Sequence, residues 1–496
     1  MTPTRGAVAG GSPHTVDAGL RALRLGGNAA DAAISAQLTA CVAEPMFTGL
    51  LGAGLAMVRF GGQAQVLDFF ANVPGLGGSS RPAAPMESVR LDFGPDSQVF
   101  HVGPGTVAVP GVVEGLWALH QRHGSLPMTV LAEPAIRAAQ RGVPTTGALA
   151  VAAQLLNPII SHSPRLAALL RPGGRLVQAG DPLHQTTLAQ TLQALASDPQ
   201  WLRTGPGAHA LLELVGGHSH LTARDLAEHR AHWRAPISGT YRGARLSLPG
   251  PPSQAGALAL HTLAALQAGG PMPAPHTGPH LARIARAMRQ TEAAKGTDFQ
   301  ARLFDPGFVD GWLGPNPVGH TTHISVIDQR GDAVSITTSL GETAGLMCPT
   351  TGLMPNNFLG ESDVNPPSAH RPPGARLMTM CCPALLEHRD RTLLLGTGGS
   401  SRIRSALLHA VIHAVDHDLE PQALVDAPRA HFEDATLRYE SPSRPPSHRA
   451  ALGDFASIVE FAQPSLYFGG LNIVGQGAHG FFGAGDQRRS GVFREV

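Results

Sequence analysis

Lysine is almost missing from this chain. Lys295 is the single one in 496 residues, and the other basic side chains are arginines, so that 37 basic groups face 36 acidic ones for a formal net charge of +1. The arginines are scattered rather than clustered, which removes any electrostatic case for nucleic acid or an anionic membrane as the main partner. Cysteine is scarce as well. Cys41, Cys348, Cys381 and Cys382 have neither disulfide-framework nor zinc-site spacing, and a bridge between the adjacent Cys381 and Cys382 would be strained, so buried thiols in a reducing compartment are expected. No apolar run of roughly 18 residues occurs, and the first residues carry no apolar leader, so a soluble, cytoplasmic protein with no membrane association is expected. There is no His-Glu-x-x-His among the 24 histidines, and His218-Ser219-His220 is a weak pair, so no metal and no cofactor are expected.

Glycine and proline are present in quantity, 59 and 42 residues, and they sit between periodic segments. The stretch from Gly319 to Glu342 reads as two strands joined by a turn. Thr322, Ile324 and Val326 alternate with Thr321, His323 and Ser325, the period of a strand with unlike faces. Gln329-Arg330-Gly331-Asp332 supplies the turn, with Gly331 free to take positive φ, and Ala333 to Ser339 returns. The segment before it, Asp305 to Gly319, is rich in proline and glycine and reads as an exposed connection of the type where chains are cut.

Elsewhere the pattern alternates between helix and strand. Residues 12–45 read as two helices, the first capped by Ser12 or Thr15 and ended at Gly26-Gly27, the second starting at Asn28 and rich in alanine. Leu55–Phe60 and Ala64–Phe70 form a hairpin, Gly105 to about Gly314 is mostly helical, and Pro236 to Leu248 interrupts it with strand character. The glycine loop at 49–54 leads into a strand instead of opening a helix, so it is no phosphate cradle. Late in the chain, Leu393–Leu395 leads through Gly396-Thr397-Gly398-Gly399-Ser400-Ser401-Arg402 into a helix. There is no internal repeat.

Two of these features combine into chemistry. Thr321 opens a strand after an exposed loop, which suits a nucleophile, and Gly399-Ser400 lies where consecutive backbone N–H groups can aim at one spot, which suits an oxyanion hole. A general base is then supplied if the His320–Thr321 bond is cut, because a free α-amino group titrates at roughly 7.7–8.0.

On these residues the chain resembles the γ-glutamyltranspeptidase (glutathione hydrolase) family of self-cleaving N-terminal-nucleophile hydrolases. The likeness runs through Gly26-Gly27-Asn28-Ala29-Ala30-Asp31, Val109-Pro110-Gly111, Pro251-Pro252-Ser253, Thr321-Thr322-His323-Ile324-Ser325, Asn356-Asn357, Gly396 to Ile403 and Gly483-Ala484-Gly485-Asp486. It implies an α/β (α+β) fold, a four-layer αββα sandwich made as a precursor. Cleavage between His320 and Thr321 would give a large subunit, 1–320, and a small one, 321–496, that stay associated as a heterodimer within one domain. It also implies Thr321 as nucleophile, Ser339 where the family has a supporting threonine, and the N–H groups of Gly399 and Ser400 around the oxyanion, although the family usually has glycine in place of Ser400.

The residues that would hold a glutamyl group depart from the family. Phe70 follows Asp68-Phe69 where an arginine is usual, Gly341 replaces an asparagine, Phe358 a glutamine, and Thr379 and Met380 replace two serines; Glu361 keeps an acidic residue for the substrate amino group. A buried carboxylate without cationic or hydroxyl partners is costly, so a pocket edged by Phe70, Phe358 and Met380 favours a more apolar acyl group. Arg376, Arg402 and Arg404 are the alternatives for the lost arginine. Three readings follow: hydrolysis of a γ-glutamyl or related amide of a small molecule or peptide, with water favoured over an amine acceptor; an amidase or acylase with a non-glutamyl acyl group; or an unprocessed, catalytically silent binding protein.

Overall fold

The computed structural model describes residues 2–78, 85–95, 97–295, 299–305, 308–309, 322–361, 364–365, 371–442 and 446–496. Two antiparallel sheets stacked face to face form its centre. Their strands, numbered in chain order, are β1 (Gly6–Gly10), β2 (Ala53–Phe60), β3 (Gln63–Phe69), β4 (His232–Arg234), β5 (Ile237–Tyr241), β6 (Ala244–Leu248), β7 (Thr322–Asp328), β8 (Ala333–Ser339), β9 (Ala384–His388), β10 (Arg391–Gly398), β11 (Gly470–Gly477), β12 (Gly480–Gly485) and β13 (Val492–Glu495). The first sheet has the order β13-β1-β7-β8-β2-β3-β4 and the second β12-β11-β10-β9-β6-β5. Each sheet takes strands from both sides of residue 320, so the two regions of the chain are interdigitated.

Period-2 alternation sorts the side chains into three interfaces. Between the sheets, Ala7, Ala9, Met57, Val66, Ile327 and Ala333 meet Leu385, Leu394 and Val474. The neighbours of those residues point the other way: Val8, Ala56, Val58, Leu67, Ile324 and Val326 pack on the outer helices of the first sheet. Leu386, Leu393, Leu395 and Ile473 likewise pack on the helices of the second. The helices that matter below are α1 (Pro13–Arg24) and α2 (Ala29–Ala43) on the first sheet, and α3 (Ala255–Ala268), α4 (Gly278–Ala294) and α5 (Arg402–Val415) on the second. The order helix, sheet, sheet, helix is the four-layer αββα sandwich expected from the sequence.

Local chemistry explains the element ends. Ser12 accepts the His14 N–H at the start of α1, and Asn28 with Asp31 closes a reciprocal capping box at the start of α2. Every residue of α2 is buried, which its alanine content permits because small side chains allow close approach on all faces. The β7–β8 hairpin turns at Gly331, whose φ is 77°. All four cysteines are buried and free. Among the described residues no helix is long and apolar enough to cross a membrane.

Candidate active site

Thr321 and His320 lie outside the described residues; the described part of the strand starts at Thr322. The register pairs Thr322 with Thr338, so the next residue of β8, Ser339, stands beside the start of β7. Ser339 is buried and its Oγ accepts the Gly341 N–H at 2.9 Å. At the start of β7 the face turned toward the second sheet is polar, with His323 and Ser325 ahead of the apolar Ile327. His323 is fully enclosed, with Nδ1 2.8 Å from Thr337 Oγ1 and Nε2 2.8 Å from Ser325 Oγ, and burial pushes its pKa down to about 3. Its ring occupies the space over Gly396, where a Cβ would stand 2.3 Å from His323 Cε1. Asn472 Nδ2 donates to the His323 carbonyl at 2.9 Å, a second tie between hairpin and second sheet.

The Gly399-Ser400 turn joins β10 to α5. Gly399 has φ 124° and Ser400 has φ 66°, so the serine occupies left-handed backbone that favours glycine. Among the described residues neither backbone N–H has an acceptor, which leaves both donors available. The Ser400 side chain is fully buried and its Oγ accepts from Arg402 Nη1 at 3.0 Å.

A buried carboxylate missed in the sequence links strand and turn. Glu44, just past α2, accepts from Thr322 Oγ1 at 2.6 Å and from Thr15 Oγ1 at 2.7 Å. Burial raises its pKa, and those two hydroxyls and the Arg489 charge partly oppose the rise. Arg489 in turn is pushed down to about 9, first by burial and then by the neighbouring Arg402 charge. Thr322 thus bonds Glu44, the Arg489 charge acts on Glu44, and Arg402, whose charge acts on Arg489, bonds Ser400, so polar groups gather between the start of β7 and the turn. Only tertiary structure assembles them, since they come from four segments of the chain.

On the acyl side, Phe70 and Phe358 come together, with ring centroids 5.0 Å apart, and both belong to an apolar cluster with Leu55, Leu377 and Cys381. Each is almost fully enclosed, so they form a packed floor and not an open edge. Met380 is not part of it: its side chain lies in the core between the second sheet and its helices, because Leu377 and Cys381 take the other face of that segment. Thr379 is buried beside Ser253, and its Oγ1 accepts the Cys381 N–H at 3.0 Å. Gly341 has φ 65° and lies against Asn357, while Glu361 is buried with Oε1 3.0 Å from where a residue-341 Cβ would be.

Of the three alternative arginines, Arg376 is held by its own chain. Its Nε lies 3.1 Å from Asp68 Oδ1, and its other nitrogens donate to the carbonyls of Phe70, Asp68 and Arg230 and to Asn72 Oδ1. Arg404 donates to Glu292 at 3.1 Å and to the Phe432 carbonyl at 3.0 Å. Arg402 also reaches the Tyr467 carbonyl, but its buried Nη2 has no acceptor among the described residues.

Comparison with known proteins gives a consistent picture. The family profile described as Gamma-glutamyltranspeptidase matches residues 15–312 and 280–496. The Acylase ACY 1 proenzyme of Pseudomonas sp. (strain V22) is 31% identical over 471 residues, which cover 88% of this chain and 84% of that protein. The Glutathione hydrolase proenzyme of Escherichia coli (strain K12) is 26% identical over 487 residues, covering 86% and 81%. Among solved structures, a cephalosporin acylase from Bacillus halodurans superposes with a TM-score of 0.82 at 23% identity, over 100% of this chain and 96% of that one.

Proposed function

The chain belongs to the gamma-glutamyltranspeptidase family, and from that premise we propose that it is a self-processing amide hydrolase of the acylase type, with Thr321 as nucleophile and an acyl group less polar than γ-glutamyl. Processing begins with attack of Thr321 Oγ on the His320 carbonyl. The His320–Thr321 C–N bond breaks, water hydrolyses the resulting ester, and the α-amino group of Thr321 is freed. That amine then takes the Oγ proton as Oγ attacks a substrate amide, while the N–H groups of Gly399 and Ser400 receive the oxyanion. The amine product leaves with the proton, and water releases the acyl group. Ser339, at the start of the β7 strand through its pairing with β8, supports the nucleophile. The cleaved regions 1–320 and 321–496 remain one heterodimeric domain, because both sheets are woven from both.

One observation carries the acyl preference: Phe70 and Phe358 pack on each other where the family places an arginine and a glutamine, and the adjacent Arg376 is bound by Asp68. A substrate carboxylate entering there would be desolvated without a partner, at a cost of several kcal/mol by rough estimate. The 31% identity to an acylase proenzyme supports the same reading. A second reading, a γ-glutamyl hydrolase, is favoured by the buried Glu361 and by Arg402 Nη2, which could receive the amino and carboxylate groups of a glutamyl substrate.

Intact mass spectrometry and a panel of anilides test both levels. The 51.6 kDa chain should convert to two fragments that start at Met1 and Thr321, and Thr321→Ala should remain whole. The processed protein should hydrolyse uncharged acyl-anilides faster than γ-glutamyl-anilide. An intact wild-type chain overturns self-processing, and the reverse anilide order replaces the acylase reading with the glutamyl one.

A further inference from the structure

Away from the catalytic hairpin, on the outer helical layer of the second sheet, five histidines gather around the C-terminal end of α5. His409 and His413 lie one turn apart on the helix, His417 follows one turn on, His280 comes from the first turn of α4, and His276 from the loop before it. The rings of His280 and His413 stack at 5.4 Å, His280 and His417 are 5.1 Å apart, and His276 and His413 are 5.6 Å apart. One ring nitrogen each from His280, His413 and His417 lies within 4.8 Å of the others.

The hydrogen bonds of these rings are those of ligands waiting for a cation. His280 Nδ1 lies 3.2 Å from the Pro273 carbonyl, an arrangement in which the N–H donates outward and the Nε2 lone pair faces the cluster. That Nε2 is buried and has no hydrogen-bond partner, nor have both nitrogens of His413 and Nε2 of His417. The acidic neighbours of His417 do not supply one, because Asp416 is taken by the Tyr241 hydroxyl and by Arg242, and Asp418 by Arg389 and Arg391. Several orphaned nitrogens converging in one buried place are unusual for imidazoles held only for packing.

The geometry points to a divalent transition-metal site in which His280, His413 and His417 bind a zinc-type ion and fasten α4 to the end of α5. Three imidazoles suit a borderline-soft ion such as zinc and do not suit magnesium or calcium, which prefer oxygen. Tetrahedral zinc with bonds of about 2.0–2.1 Å keeps its nitrogens about 3.3 Å apart, so from separations of up to 4.8 Å the three rings need to close by up to about 1.5 Å. The fourth position is open to water or to His276. Neutral imidazole is the form that binds metal, and each of the three rings has a buried Nε2 with no hydrogen-bond partner to offer. The site does not depend on the catalytic reading, since it would serve the fold whether or not Thr321 is cleaved.

Metal uptake by the full chain tests it. Protein stripped with EDTA and desalted should take up one equivalent of zinc, measured by elemental analysis after gel filtration, and its melting temperature should rise. Cobalt added in place of zinc should give visible absorption of a nitrogen-ligated ion, and magnesium should do neither. His280→Gln and His417→Gln should each lose stoichiometric uptake while keeping the wild-type far-UV circular dichroism. Zinc retained by both folded variants would place the ion elsewhere, for instance at the His218–His220 pair, and overturn the site. If a variant fails to fold, the wild-type chain still decides: no stoichiometric uptake, or cobalt without a nitrogen-ligand spectrum, means that water and packing alone fill the cluster.

Discussion

Gly341 leaves to Asn357 the space that its own side chain would take: a Cβ at 341 would stand 1.9 Å from Asn357 Oδ1. That oxygen accepts the Glu342 N–H at 2.8 Å, and Asn357 Nδ2 donates to the His101 carbonyl at 3.0 Å. The glycine at 341 is therefore bound to the position of Asn357, whose amide does structural work beneath it.

Gly341→Ala should accordingly cost more than its size suggests. The left-handed φ penalises any Cβ by about 1–2 kcal/mol, and displacing Asn357 breaks its bonds to Glu342 and His101, for a total of about 2–4 kcal/mol. Gly341→Asn relieves part of the backbone cost, since asparagine tolerates this region, but keeps the collision. Urea denaturation of the processed protein measures both; a loss under about 0.5 kcal/mol for alanine would mean that Asn357 moves freely.

Arg376 and Asp68 give a sharper contrast. Arg376→Met leaves the fully buried Asp68 with the Phe70 N–H, 3.0 Å away, and a single arginine, Arg234, whose Nε reaches it at 2.8 Å from a half-exposed position. Removing one partner of a buried pair costs about 3–5 kcal/mol, whereas Arg234→Met should cost less than about 1 kcal/mol. Equal losses in chemical denaturation would show that the exposed arginine carries the pair.

Much of this was legible in the sequence because it is local. The β7–β8 hairpin, with its unlike faces and its glycine turn, follows from alternation and turn chemistry alone, and so does the cap at Asn28, while the sequence offers Ser12 and Thr15 alike for the first helix and the structure shows Ser12 as the cap. What was not legible comes from long-range assembly. β1 is a five-residue run of glycine, alanine and valine with no period to read, and it is a strand because β7 and β13 pair with it on both sides. Glu44 reads as an ordinary helix-end carboxylate until Thr322 is folded against it. Met380 looked like a neighbour of Phe358 because the family aligns both with substrate contacts, but strand-like alternation turns it to the opposite face. The histidine cluster needed α4 and α5 side by side; a search for His-x-x-x-His on one helix would have found His409, His413 and His417 but not His280.

Ser400 separates strain from chemistry. Ser400→Gly removes roughly 1 kcal/mol of left-handed strain and loses one charge-assisted bond from Arg402 worth roughly 1.5 kcal/mol, so stability should hardly change. If backbone N–H groups receive the oxyanion, as proposed, turnover should stay within about threefold. Ser400→Val puts a branched Cβ at positive φ, which forces the turn to move and should lower turnover by on the order of tenfold or more. A kinetic comparison of the two processed variants checks this; a large loss with glycine would assign the work to the hydroxyl.

His323 sets a pH dependence whose sign is fixed by its burial. Its pKa is about 3 in the fold, against about 6.5 in an unfolded chain, so between these values the unfolded state binds the proton and the folded state does not. The stability it confers is complete above about pH 6.5 and is lost as pH falls toward 3. At pH 5 the loss is on the order of 2 kcal/mol, from one and a half pKa units of unequal binding. The cause is desolvation, and the hydroxyls of Thr337 and Ser325 satisfy the neutral ring without stabilising a charged one. His323→Asn removes the titrating group from the sheet interface, so it should be less stable than wild type at pH 7 yet lose less on going to pH 5. A slope persists in the variant from the other buried histidines, among them His409, which burial depresses to about 3, and His280 and His431, which it depresses to about 4, so the test is the difference between the two proteins. Urea midpoints of both proteins at the two pH values measure the difference; parallel losses would mean that protons enter the fold elsewhere.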